Sequence, residues 1–169
     1  YTIALNDVDE FDVSPVTDAD ASANTLAENA AAGTTVGVVA SASDADATNS
    51  AVSYSVDDAR FTVDADGTVR VAAGAVFDHE TEASIEITVT ATSADGSSSS
   101  QAFTLAVSDV NEAAVSTPSD SNNAVNAVDE NASIGTSVGI TAFASDSDGT
   151  DSVSYSLSDD ADGRFAIDA

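Results

Sequence analysis

Four groups of acidic residues carry the chemistry that stands out in this chain. Glu28-Asn29 lies just before Gly33, and Asp78-His79-Glu80 precedes the alternating run Ser84–Thr92. Asp109-Val110-Asn111-Glu112 closes a second alternating run, and Asp146-Ser147-Asp148 follows a third. Carboxylates, carboxamides and main-chain carbonyls are hard oxygen donors, and Ca²⁺ takes about six to eight of them. Carboxylates packed closely repel one another unless a cation sits between them. The plainer reading of an acidic residue is a solvated surface, and it accounts for most of the 30 Asp and Glu.

Those acids need elements to position them. Ile85, Ile87, Val89 and Ala91 alternate with polar residues, as do Phe103, Leu105 and Val107. Val36, Val38 and Ala40, then Val52, Tyr54 and Val56, then Phe61 and Val63, then Val69 and Val71, repeat the pattern. A period of two over many short runs marks half-buried strands. Ala65–Gly67 and Ala94–Ser97 read as turns between such runs. No run shows a capped helical period. Acid, Ser and Ala richness alone would suit a disordered chain, and the alternation argues against that. The expectation is an all-β chain of immunoglobulin-like β-sandwiches, about seven strands in roughly 100 residues. A first strand falls at Val13–Val16 or Thr25–Ala27, followed by Thr35–Ala42, Ala51–Val56, Phe61–Val63, Thr68–Ala72, Ser84–Thr92 and Gln101–Val107.

The acidic groups also repeat. Asp109 lies 102 residues after Asp7, and the same shift takes Glu28-Asn29 to Glu130-Asn131, Gly33 to Gly135, Gly37 to Gly139, and Asp44 and Asp46 to Asp146 and Asp148. Further on the register slips, yet Ser53–Val56 still answers Ser154–Leu157, and Arg60–Ala65 answers Arg164–Ala169. A period near 100 residues is the size of one small domain. The expected organisation is residues 1–10 as the last strand of a preceding repeat, 11–112 as a complete repeat, and 113–169 as the N-terminal part of the next, reaching its fourth strand. A window out of phase with its own period is expected of a piece of a longer polypeptide.

Composition narrows the function. Three Lys plus Arg against 30 acids give a formal charge of −27, and all three bases are Arg. Nucleic acids and anionic membranes are bound through Lys and Arg, so neither is an expected partner. Cys is absent, which removes disulfides and thiolate metal sites. A small domain without disulfides often takes its staple from a metal. No apolar run is long enough for a membrane-spanning helix. No catalytic constellation or cofactor fingerprint emerges, and a lone His with no Lys or Cys leaves few general bases or nucleophiles. An enzyme is not expected.

The order and spacing of Glu28-Asn29, the DAD at Asp44–Asp46, DHE at Asp78–Glu80 and DVNE at Asp109–Glu112 resemble the calcium motifs of cadherin repeats. Ala, Ser, Thr and Asp richness is similar to the cadherin-like tandem repeats of giant bacterial surface adhesins of the repeats-in-toxin type. The resemblance covers the whole chain. It implies sandwiches joined by calcium-binding linkers, with about three Ca²⁺ per junction. Glu28, Asp78, Glu80 and Glu112 would hold the outer ion. Glu28, Glu80, Asp109, the Val110 carbonyl, Glu112 and Asp148 would surround the middle one. Asn111, the Ala113 carbonyl, Asp146 and Asp148 would take the third. By the same shift Asp7, Asp9, Glu10, Asp44 and Asp46 belong to a preceding junction.

Two departures from the family pattern stand out. Where the family places Asp in V-x-A-x-D, this chain has Ser93, and Asp95 two residues later is the candidate substitute. The acidic box continues with Ala113 and Ala114 into a Ser/Asn/Asp stretch, Ser116–Asn126, read as a loop that lengthens the linker. His79 is read as flanking the site. Asp64–Gly67 and Asp159–Gly163 are read as turns, and Arg60 and Arg164 as structural ion-pair partners before a core Phe. Asn131-Ala132-Ser133 matches a glycosylation sequon of low specificity.

The resemblance implies an extracellular, calcium-rigidified extender or adhesive segment of a large cell-surface or matrix fibre protein, as in a biofilm. Its partners would be adjacent repeats of the same chain, with other copies in a fibre or cell-surface glycans as further candidates. The alternatives are a carbohydrate-binding module of a polysaccharide-active enzyme and homophilic cell–cell adhesion. Exposed aromatics would favour the module; most Phe and Tyr are expected on the inner face.

Overall fold

Burying one side of an alternating strand needs a second apolar surface, and the chain supplies it by stacking two sheets. The computed structural model describes residues 1–4, 8, 10–46, 48–148 and 151–168. Asp7 and Asp9 lie outside the described residues. Every regular element among the described residues is a strand. The chain divides into two compact units, Tyr1–Val110 and Asn111–Ala169.

The first unit contains β1 (Thr17–Asp18), β2 (Thr25–Ala27), β3 (Thr35–Ser41), β4 (Val52–Val56), β5 (Phe61–Val63), β6 (Thr68–Val71), β7 (Ser84–Ser93) and β8 (Ser98–Ser108). They form two four-stranded sheets, ordered β1-β3-β6-β5 and β2-β8-β7-β4. Val36, Val38, Ala40, Phe61, Val69 and Val71 come from the first sheet, and Leu26, Ile85, Ile87, Val89, Leu105 and Val107 from the second. All belong to one buried cluster. This is a β-sandwich.

The strands follow the alternating runs closely, apart from the short β1 at Thr17–Asp18, which none of the runs marked, and two further differences. The β7–β8 ladder is continuous from Ser84↔Ala106 to Thr92↔Ser98, so β8 begins three residues before Gln101. Ser98 and Ser100 have poor strand character, but they pair with Thr92 and Thr90, and the Thr90 and Ser100 hydroxyls bond at 2.8 Å. The second difference is β2, which pairs with β8 in parallel, Leu26 opposite Val107 and Ala27 opposite Ser108. The chain from β2 to β3 then crosses between the sheets. Gly37 sits within β3 at φ +80°, and a Cβ there would run into the Ala23 carbonyl.

The second unit repeats part of this architecture with a shift of 102. In β9 (Ser119–Asp120) and β10 (Ala142–Phe143), Ser119 faces Phe143 and Asp120 faces Ala142, as Thr17 faces Ser41 and Asp18 faces Ala40. Asp120 Oδ1 accepts the Thr141 N–H as Asp18 Oδ1 accepts that of Val39, both at 3.0 Å. Tyr155 Oη accepts the Ala144 N–H at 2.8 Å, and Tyr54 Oη that of Ala42 at 2.9 Å. A Cβ at Gly139 would meet the Val125 carbonyl, the same obstruction as at Gly37.

Several expectations are corrected. Ser116–Asn126 does not lengthen the connection. It contains β9 at the position of β1, and its Ser116 bonds Ser145 as Ser14 bonds Ser43. Four strands were expected in residues 113–169, and β9 and β10 are the ones among the described residues. Tyr1–Ala4, expected as strand, is exposed and unpaired. A strand needs a neighbour for its main-chain groups, and among the described residues these segments have no ladder partner. The buried aromatics are Phe61, Phe77 and Phe103, whereas Phe11, Phe143 and Phe165 are exposed, so the inner-face expectation for Phe holds only in part.

Candidate metal centres

The parallel pairing of β2 with β8 builds the first acidic group. Ala27 and Ser108 are in register, so the residues that follow them, Glu28 and Asp109, leave the same end of the sheet side by side. β7 runs antiparallel to β8, which brings the segment before Ser84 to that end as well. Glu28, Glu80 and Asp109 each offer a carboxylate oxygen, and the three atoms lie within 4.8 Å of one another.

Glu28 is 6% exposed. Its Oε1 accepts the Val110 N–H at 2.7 Å and its Oε2 the His79 N–H at 2.8 Å. Each carboxylate oxygen has a further lone pair, so a fixed carboxylate can still bind a cation. His79 Nδ1 is 2.7 Å from the Val107 carbonyl, which only accepts, so Nδ1 carries the proton and the ring clasps β8. That matches its reading as a flanking residue. Asp78 is exposed, and its Oδ1 accepts the Thr81 N–H at 3.2 Å in the turn before β7.

A second group, Asp44, Asp46 and Asp95, forms between the chain leaving β3 and the β7–β8 turn, again within 4.8 Å. Asp46, 8% exposed, accepts the N–H groups of Glu10 at 3.1 Å and Phe11 at 3.2 Å. The Asp46 N–H, then the Ser93 hydroxyl, hold the Asp44 carboxyl below its ordinary value. Asp95 stands in the group, and Ser93 donates to Asp44 from the position where the family has Asp.

A third group, Asp146, Asp148 and Asp151, belongs to the second unit. Asp148, 5% exposed, accepts the N–H groups of Glu112 and Ala113, each at 3.0 Å. These contacts repeat those of Asp46 with Glu10 and Phe11. Asp151 was not among the sequence candidates. The Asn111 carboxamide donates to it, and its own N–H bonds the Asp148 carbonyl at 3.1 Å. The signal available was the D-x-D-x-x-D spacing of Asp146, Asp148 and Asp151. Val110 and Ala113, expected as carbonyl ligands, contribute N–H groups to Glu28 and Asp148 in the bonds the structure records.

All three groups are oxygen-only. Without His or Cys they suit a hard cation over zinc or copper. Arg60 lies apart from them, bonded to Asp58 at 2.7 Å and Glu82 at 2.6 Å and stacked over Phe77 at 5.5 Å. The ion pairs among the described residues fall on Arg60 and Arg70, so the pair expected at Arg164 is not seen.

No protein-family model and no curated protein matches this chain. Solved structures do. Mouse cadherin-23 EC22–24 is 26% identical with a TM-score of 0.61, over 83% of this chain and 45% of that one. The protocadherin GammaB4 extracellular domain is 25% identical with a TM-score of 0.59, over 83% and 22%. Chicken VE-cadherin EC1–2 is 26% identical with a TM-score of 0.51, over 62% and 54%. The chain therefore spans less than two thirds of the length of each of these structures. What carries the carboxylate groups is an all-β sandwich of cadherin-like fold.

Proposed function

We propose that this chain is a calcium-stiffened extender or adhesive segment of a large extracellular cell-surface or matrix fibre protein, in the manner of the bacterial adhesin repeats it resembles, and not an enzyme. The observation that supports this most is the recurrence of one arrangement. An acid of a D-x-D pair, Asp46 or Asp148, holds the main chain of an acidic box, at Glu10-Phe11 and again at Glu112-Ala113. Each D-x-D pair sits in a convergent carboxylate group, and Asp109, the first residue of the second box, sits in a further one with Glu28 and Glu80. Acids crowd where the chain passes from one repeat to the next.

The mechanism is mechanical. Without Ca²⁺ the carboxylates repel and the connection flexes. With Ca²⁺, acids from adjoining repeats share ions and the connection stiffens. The ligands are those the resemblance assigns, with Asp95 and Asp151 added. Among the described residues no helix is long and apolar enough to cross a membrane.

Small-angle scattering on the chain, with Ca²⁺ and after chelation, tests the reading. The maximum dimension is expected to be better defined with Ca²⁺, and the scattering to show greater flexibility without it. Replacing Asp146 and Asp148 by Asn should abolish the difference while the first unit keeps its melting behaviour. Identical scattering in both conditions would remove the extender mechanism.

A further inference from the structure

Asn111 and Asp151 touch, and the internal repeat carries the same two positions with their residue types exchanged. The Asn111 carboxamide donates to Asp151 Oδ2. The shift of 102 residues that relates the repeats takes Asp9 to Asn111 and Asn49 to Asp151. Flanking residues support that correspondence: Thr48-Asn49-Ser50 answers Thr150-Asp151-Ser152, and Asp9-Glu10 answers Asn111-Glu112. In the second unit the carboxamide is on the acidic box and the carboxylate on the loop after the D-x-D pair. In the first unit the sequence has the reverse. Asp9 lies outside the described residues, so the exchanged pair is read from the sequence.

A mixed pair is the combination of Asp and Asn that keeps both a strong hydrogen bond and a single charge. The amide N–H donates to an ionised acceptor, which makes the bond charge-assisted. Two ionised Asp would both be acceptors and would repel each other. Two Asn would lose the charge. The mixed pair has the same bond and the same charge in either orientation, so a change at one position is compensated by the opposite change at the other.

The contact closes a ring of hydrogen bonds between box and loop. The Asp151 N–H donates to the Asp148 carbonyl at 3.1 Å. Asp148 Oδ2 accepts the N–H groups of Glu112 and Ala113, each at 3.0 Å, and these two residues follow Asn111 in the box. Asp46 holds Glu10 and Phe11 of the first box in the same way. With its NH₂ spent on Asp151, the Asn111 carboxamide keeps its oxygen for a hard cation, and Asp151 itself stands in the carboxylate group with Asp146 and Asp148. We propose that Asn111–Asp151 and Asp9–Asn49 are interchangeable clasps. Each locks an acidic box to its D-x-D loop, orients the carboxamide, and holds the pair's contribution to the metal group at one negative charge. Ligand charge count and rigidity tune calcium affinity, so the clasp sets the affinity of its group. That last step rests on the calcium reading above, and the clasp itself does not.

The test is a charge swap in the full chain, read in two ways. In chelator, Asn111→Asp should speed amide exchange at Glu112 and Ala113 by about tenfold, and adding Asp151→Asn should restore the parent rates. In the first unit Asn49→Asp should do the same at Glu10 and Phe11, with Asp9→Asn as its rescue. In a calorimetric Ca²⁺ titration, Asp151→Asn should weaken binding by about tenfold, and adding Asn111→Asp should recover it to within about threefold. A merely structural role for either residue would not be rescued by exchanging the two. Parent-like exchange in Asn111→Asp overturns the inference, and so does a double variant no better than its worse single. If the parent binds no Ca²⁺, the calcium reading falls, and the exchange rates in chelator still decide the clasp.

Discussion

Glu28 Oε1 accepts the Val110 N–H at 2.7 Å, a bond between residues 82 apart in sequence. It ties the residue after β2 to the chain leaving β8, extending the parallel pairing of those strands by one polar contact. The other oxygen of the same carboxylate holds the His79 N–H before β7. Three segments thus meet on one buried acid.

Glu28→Ala would leave both N–H groups without their acceptor. An unsatisfied buried donor costs about 1–3 kcal/mol, so a loss of roughly 2–4 kcal/mol is expected in denaturant unfolding of the first unit. Glu28→Gln keeps one acceptor oxygen and sets its NH₂ against the other N–H, and should fall between parent and Ala. An Ala variant within about 0.5 kcal/mol of the parent would show that the acid has no structural part here.

The tyrosine hydroxyls give a second prediction. Tyr54→Phe and Tyr155→Phe each remove the acceptor for one N–H, at Ala42 and Ala144. Tyr54→Phe should cost about 1 kcal/mol. In both variants the amide losing its partner should exchange faster while its counterpart in the other unit is unchanged. Exchange that changes at both amides in either single variant would contradict the independence of the two bonds.

The sequence made the long strands legible because one-sided burial leaves an alternating trace, and Val36, Val38, Ile85, Ile87 and Leu105 are all buried where that trace places them. The β2–β8 pairing was not legible. Three residues carry no period, and the direction of pairing is set by tertiary packing. That pairing is what places Glu28 beside Asp109. The acidic groups were readable through the internal repeat and the family resemblance more than through composition, since 30 acids dilute any single spacing. Asp151 was lost in that background. Ser116–Asn126 misled because its polar residues hide a short strand whose partner lies some twenty residues further on.

Acid should reveal the Arg60 pair. Hydrogen bonds from Arg60 hold the Asp58 carboxyl below its ordinary value, outweighing the opposite effect of burial. A depressed folded-state value means stability that is present above the unfolded value of about 3.9 and lost as pH falls through the folded one. The parent should exceed Asp58→Asn by no more than about 1 kcal/mol at pH 7, given the partial exposure of the pair. The gap should close below the ordinary Asp range. Protonating the other acids relieves repulsion in both proteins, so the difference between them isolates this pair. A gap that stays constant down to pH 2 would show that the pair is not its source.

Calcium should stabilise the chain far more than an equal charge of monovalent salt. A ligand that binds only the folded state contributes about 2.7 kcal/mol when its free concentration is about one hundred times Kd. Millimolar Ca²⁺ is therefore expected to raise the melting temperature, with reversal by chelator. Mg²⁺ demands a smaller octahedral shell and should give much less. Sodium chloride screens the −27 charge and should give part of the rise. Asp95→Asn removes one carboxylate from the Asp44–Asp46 group and should weaken the calcium effect on the first unit, leaving the salt effect nearly intact. If sodium chloride alone reproduced the whole rise, the convergent acids would be surface charge, and the metal assignment would fall with them.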